Sequence, residues 1–263
     1  MDQAACPHVR VVLVRLTVLG ACGAWPEPGR ACSGFLVEHD GFRLLVDAGY
    51  AIVPRLLELV SASQLDAVFI SHGHPDHCAD LNPLLRARAM GHDHAPPLPV
   101  YALPAALDAV LALDGPGGLA DAYTLNELTP GRRFDIGPFV ASTVLLPHWV
   151  PNAGLRLAAG GTVLAYTGDS GPDPALVDLA RDADLLLAEA TFAGLIPRRS
   201  HGFLSTATQA AEQAAQAGVA QLALTHLWPG TSHDTARTEA AASYHGPLTI
   251  ATPGWSVDLA GSG

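Results

Sequence analysis

Hydrophobic positions recur along this chain in two rhythms. Residues 9–19 alternate apolar and polar side chains, with Arg10 and Arg15 set among valines and leucines. Such alternation predicts a half-buried strand, here an edge or outer one. Residues 32–39 and 42–46 read as a hairpin turning at Asp40-Gly41. The run 65–70 is nearly all apolar and predicts a buried strand. Further strands are expected at 100–102, 124–128, 132–136, 139–146, 162–167, 184–189 and 221–225. Helical spacing appears at 54–61, where Leu56, Leu57 and Val60 share a face and Pro54 suits the first turn. It appears again at 80–90, with Leu81, Leu84 and Leu85 inward, and at 104–113, 174–180 and the alanine-rich 206–217. Residues 20–30, dense in glycine and proline, predict a loop. Gly115-Pro116-Gly117-Gly118 interrupts the pattern but is too short for a domain linker, so residues 1–263 read as one domain.

A length of 263 residues with 49% hydrophobic content supports a substantial core. No window approaches a membrane span of about 18 uninterrupted apolar residues. The first eight residues lack the basic-then-apolar order of a signal peptide. Cys6, Cys22, Cys32 and Cys78 show no paired metal spacing and read as reduced thiols of a cytoplasmic enzyme. The net charge is −11, and all 14 basic residues are arginine. Only Arg86/Arg88, Arg132/Arg133 and Arg198/Arg199 lie close together. An extended nucleic-acid interface needs clustered positive charge, so none is expected. A small phosphate ester remains open as a substrate, with Arg198 and Arg199 either binding an anion or sitting on a solvated loop.

The candidate chemistry gathers in Ser71-His72-Gly73-His74-Pro75-Asp76-His77, directly after the apolar run. His72 and His74 stand two apart and can chelate one cation. Asp76 and His77 follow a proline-forced turn and can address a second cation beside it. Neutral imidazole and carboxylate suit borderline divalent ions such as zinc. The chain has 12 histidines, so a lone His-x-His pair means little. His92 and His94 form such a pair in a proline-rich linker, without a flanking strand or acidic partner, and read as accidental.

The longer string resembles the signature of the metallo-β-lactamase fold hydrolases, and the resemblance covers nearly the whole chain. It implies a four-layer αββα sandwich, two mixed sheets face to face with helices outside. It implies that Asp47 supports the metal-binding loop from behind the ligands. It makes His148, after the strand 139–146, the third ligand beside His72 and His74. It makes Asp169, after the strand 162–167, a carboxylate bridging two metals. His226, after the strand 221–225, then joins Asp76 and His77. The segments around His148 and around Glu189-Ala190-Thr191-Phe192 resemble the ribonuclease-Z-like branch. There the resemblance implies that His201 protonates the leaving group, with Glu189 as its acidic partner. Trp25, in the loop 20–30, becomes either a substrate wall or a cap on the core. Cys78 reads as a small buried thiol.

The implied function is a dinuclear metal-dependent hydrolase holding two divalent ions, zinc foremost and manganese or iron as alternatives. A hydroxide between the ions would attack a small phosphodiester such as a cyclic nucleotide, with Asp76 handling the proton. A lactone, thioester or β-lactam hydrolase on the same ligands is the alternative. A non-catalytic metal-binding partner protein ranks lower. So does a tRNA 3′ endonuclease, because the stretch between His148 and Asp169 has room for one hairpin and no tRNA-binding arm. A dimer is common among such proteins, and the oligomeric state stays open.

Overall fold

The computed structural model describes residues 13–93, 95–115 and 117–261. The expectations for Cys6, the first eight residues, the start of the first strand, His94 and Pro116 lie outside the described residues.

The alternating segment forms β1 (Val14–Gly20), and the hairpin forms β2 (Gly34–His39) and β3 (Phe42–Val46). Asp40 and Gly41 both take positive φ, 48° and 81°, as a tight two-residue hairpin turn requires. β4 (Ala67–Phe69), β5 (Leu98–Ala102) and β6 (Tyr123–Glu127) then add in parallel. β1 is not an outer strand. The last strand among the described residues, Ser256–Leu259, pairs with it antiparallel, Val14 opposite Leu259, so β1 sits inside a sheet of seven described strands. Four residues carry too little periodicity to announce that return of the chain.

The second sheet also has seven strands among the described residues. β7 (Arg133–Ile136), β8 (Phe139–Leu146), β9 (Asn152–Ala159) and β10 (Thr162–Tyr166) form an antiparallel meander. The β9–β10 hairpin occupies the stretch between His148 and Asp169. β11 (Leu185–Glu189), β12 (Leu222–Thr225) and β13 (Leu248–Ile250) continue in parallel. β11 and β12 are buried at every position, as parallel strands covered on both faces must be.

Between the sheets lies an apolar layer that includes Leu16, Phe35, Phe69, Phe139, Leu155 and Leu187. α1 (Val53–Leu57) and α3 (Leu81–Met90) cover the first sheet, with Leu56, Leu81, Leu84 and Leu85 fully buried. α2 is a single turn, Pro75–Cys78, and α4 is Asp108–Leu111. α5 (Pro174–Ala180), α6 (Ala207–Ala217) and α7 (His233–Ala241) cover the second sheet. Four layers in αββα order result. α6 is framed by its ends: Thr206 and Gln209 form a capping box, and Gly218 closes it at φ 69°. Two predicted helices are shorter than expected. The first ends where Leu59 and Val60 both fold back onto the Leu56 carbonyl. The other starts late because Ala105 takes φ 62°, outside the helical region. No helix among the described residues is long and apolar enough to cross a membrane.

Arg88 fastens α3 to the loops beneath it. It is 7% exposed, and its guanidinium donates to the carbonyls of Ala62, Leu65 and Pro96. Arg88→Ala strands these buried acceptors and removes the packed stem. It should cost about 2–4 kcal/mol in urea unfolding, without altering metal affinity at the distant histidines.

Candidate metal centre

Four strand ends converge at one edge of the sandwich. β4 leads into Ser71 and His72; β8 leads into His148, β10 into Asp169 and β12 into His226. Strand C-termini in α/β sheets open onto such crevices because the loops there are free of the ladder. Single-turn α2 begins at Pro75 and presents Asp76 and His77 inward, both buried. The turn to Asp169 needs Gly168: its φ is 58°, and a Cβ there would stand 2.2 Å from Asn152 Oδ1.

Among the described residues the donor atoms form two sets. His72, His74 and His148 make one; Asp76, His77, Asp169 and His226 make the other. His74 Nδ1 lies 3.1 Å from His72 Nε2 and 2.9 Å from His148 Nε2. His226 Nε2 lies 3.2 Å from both Asp76 Oδ2 and Asp169 Oδ2. His77 Nε2 is 3.2 Å from Asp169 Oδ1 and 3.7 Å from Asp76 Oδ2. Asp169 Oδ2 also stands 4.0 Å from His72 Nε2 and 3.9 Å from His148 Nε2, so this carboxylate touches both sets. Ligands held about 2.0–2.2 Å from one zinc ion stand about 3.3–3.6 Å apart at tetrahedral angles, and the two sets fall around that spacing.

The surroundings of the imidazoles fix which nitrogen faces inward. His77 Nδ1 donates to Asp47 Oδ2 at 2.7 Å, and His148 Nδ1 donates to the Phe203 carbonyl at 3.0 Å. Ser71 Oγ gives its proton to Asp47 Oδ2 at 2.8 Å and so accepts from His72 Nδ1 at 3.1 Å. Thr191 Oγ1 gives its proton to Glu189 Oε2 at 2.8 Å and so accepts from His226 Nδ1 at 2.9 Å. Four Nε2 atoms are therefore turned towards one another and towards carboxylates. His77 Nε2 and Asp169 Oδ1 are buried and make no hydrogen bond. Burial pushes the pKa of His72, His74 and His148 down, which keeps these rings neutral. Burial opposes ionisation of Asp76 and Asp169, yet protonated His77 and His226 hold both carboxyls below the usual range, and against the pull of burial the carboxylates push the pKa of these two rings up. Three neutral imidazoles on one side, and two imidazoles held protonated by carboxylates on the other, make a donor set in which divalent cations would take the place of those protons.

Asp47 is the anchor beneath this cluster. Fully buried, it accepts from the Ser71 amide, the Ser71 hydroxyl, His77 and the Tyr166 hydroxyl. Ala24, in the glycine- and proline-rich loop, donates its amide to Asp76 Oδ2 at 2.8 Å. The next residue, Trp25, is 46% exposed and meets Trp228 edge-on at 5.0 Å, so it lines the rim and does not cap the core. Cys78 is buried, and burial pushes its thiol up to about 11. Arg198, Arg199 and His92 are exposed.

The expected pairing of Glu189 with His201 is not present. Glu189 is buried and accepts from Thr191 N and Oγ1, Ser170 N and Ser205 N. Burial, then the charge of Asp169, pushes its carboxyl up to about 7, against the pull of those donors. His201 is exposed; its Nε2 bonds the Ile196 carbonyl at 2.9 Å. It lines a cleft with Ile196, Thr208, Gln209 and Glu239, apart from the His/Asp cluster. Glu189 instead braces His226 through Thr191, and sequence reasoning did not single out Thr191. The signal was the proximity of Thr191 to Glu189 in the chain; its partner is 35 residues away. Trp149 and Phe203, beside His148, also went unmarked.

Comparison with known proteins agrees with this geometry. The family model described as "Beta-lactamase superfamily domain" matches residues 42–227. The chain is 32% identical over 258 residues to "Probable metallo-hydrolase YhfI" of Bacillus subtilis, covering 92% of this chain and 98% of that protein. The crystal structure of the metallo-β-lactamase fold protein YhfI superposes with a TM-score of 0.86 at 31% identity, over 94% of this chain and 100% of that one. Ribonuclease Z of Myxococcus xanthus is 28% identical over 305 residues, with 94% of this chain and 98% of that protein covered. The chain thus belongs to the β-lactamase superfamily, as a metallo-hydrolase of the metallo-β-lactamase fold with ribonuclease-Z-like relatives.

Proposed function

We propose that this protein is a dinuclear phosphodiesterase acting on a small phosphodiester, a cyclic nucleotide being one example. The observation that carries the reading is the pair of donor sets joined by the Asp169 carboxylate. His72, His74 and His148 would hold one divalent cation; Asp76, His77 and His226 would hold the other, with Asp169 shared. Nitrogen and oxygen donors at this spacing suit zinc, and manganese or iron would fit the same set less selectively. Bound there, the cations would supply Lewis acidity towards a phosphoryl oxygen and a lowered pKa for water. Asp76, held by the Ala24 amide, would accept and steer the proton of the attacking water. Similarity to ribonuclease Z supports a phosphodiester as the scissile bond.

His201 would serve as leaving-group acid only after its ring leaves the Ile196 carbonyl. Its position favours a second reading, hydrolysis of a lactone, thioester or β-lactam, whose leaving groups need less help. One experiment separates the two. Metal-replete protein is assayed on bis(p-nitrophenyl) phosphate, a cyclic nucleotide and a lactone panel, before and after chelation, beside His201→Ala. The phosphodiesterase reading expects diester cleavage that chelation abolishes and zinc restores. If His201 is the acid, His201→Ala slows the cyclic nucleotide about 10²–10⁴-fold and spares the nitrophenyl ester, whose leaving group needs no proton. Lactone turnover without diester cleavage would overturn the first reading.

A further inference from the structure

Exposed aromatic rings gathered beside a polar cluster mark recognition surfaces. Trp149 follows His148 directly, and its ring centre lies 5.0 Å from that imidazole. Phe203 stacks on Trp149 at 5.5 Å with planes 29° apart. The Phe203 carbonyl also receives the His148 Nδ1 proton. The pair is therefore tied to His148 twice, through the chain and through a hydrogen bond. Even so, Trp149 is 49% and Phe203 37% exposed. Phe203 covers one face of Trp149, and with His148 also in contact about half of the tryptophan stays open to solvent.

The opposite flank is built differently. Trp25 meets Trp228 edge-on at 85°, and Phe192 stacks on Trp228 at 5.8 Å. Trp25 is 46% exposed there and meets its neighbour by an edge. The flat seat lies on the His148 side.

We propose that the outer face of Trp149, backed by Phe203, seats a planar heteroaromatic ring of the substrate. The diester then carries a nucleobase on the ester arm that points towards His148. This rests on the phosphodiesterase reading above and names its substrate class as nucleotidic. Stacking uses the π-face that every base shares, so the seat selects for the presence of a base and tolerates its identity. Trp149 and Phe203 set specificity; neither touches the scissile bond.

The test compares two phosphomonoesters that differ only by the base. Zinc-loaded full-length protein is titrated calorimetrically with AMP and with ribose 5-phosphate. Wild type should bind AMP about 5- to 100-fold more tightly, the range for one stacked base. Trp149→Ala should erase that preference, and Trp149→Phe should keep most of it, at equal zinc content throughout. Equal affinities in wild type, no detectable AMP binding, or a preference that survives Trp149→Ala would each overturn the seat. Cleavage of bis(p-nitrophenyl) phosphate by wild type is scored separately. Base preference without cleavage removes the reaction and leaves the seat; cleavage without base preference does the reverse.

Discussion

Asp169→Asn should silence hydrolysis and leave the fold intact. The side chain keeps its volume, and the turn before it is fixed by Gly168 and Asn152, so circular dichroism should change little. The chemistry changes sharply. One oxygen that stands near His72, His148 and His226, or the one beside His77, becomes an amide nitrogen with two protons. Those protons would point at cations, and the negative charge that moderates repulsion between them would vanish. Turnover should fall by at least about a thousandfold, the scale of losing a group aimed at charge in the transition state. Elemental analysis should find fewer than two metals per chain. Full metal content with full activity would remove Asp169 from the centre.

A comparable effect is expected one layer out, at Asp47→Asn. Asp47 Oδ2 receives three protons, from Ser71 Oγ, His77 Nδ1 and Tyr166. An amide nitrogen at that place is a donor facing three donors. The two hydroxyls can rotate, but His77 cannot. To accept from the amide, its ring must move its proton to Nε2, where a ligand needs its lone pair. The other amide orientation sets the same conflict against the Ser71 amide. Loss of these buried bonds should cost about 1–3 kcal/mol in unfolding free energy. Zinc affinity should drop about 10- to 100-fold, the cost of disturbing an outer-shell partner. A variant that unfolds earlier but binds zinc unchanged would make Asp47 a purely structural residue.

Legibility in the sequence followed distance along the chain. His72, His74, Asp76 and His77 could be read together because one strand end and one proline turn hold them all. The hairpin at Asp40-Gly41 and the alanine-rich helix at 206–217 were legible for the same reason, since both patterns are local. His148, Asp169 and His226 entered only through a resemblance, and the structure brings them to the same edge. Glu189 and His201 show the opposite case. Both sit in a stretch that suggests a pair, yet the amides of Ser170 and Ser205 reach Glu189 first. Amide donors carry no residue signature, so their convergence cannot be read from side-chain spacing.

By itself the sequence determined the strand-and-helix rhythm, the apolar interior and the local histidine string, because each depends on neighbours within a few residues. Only the tertiary structure decided that β1 is an inner strand, that Glu189 braces His226 in place of His201, and that Trp149 and Phe203 stand open beside His148. Those outcomes depend on which strand ends lie side by side across the two sheets, and that adjacency is set by packing the whole core at once.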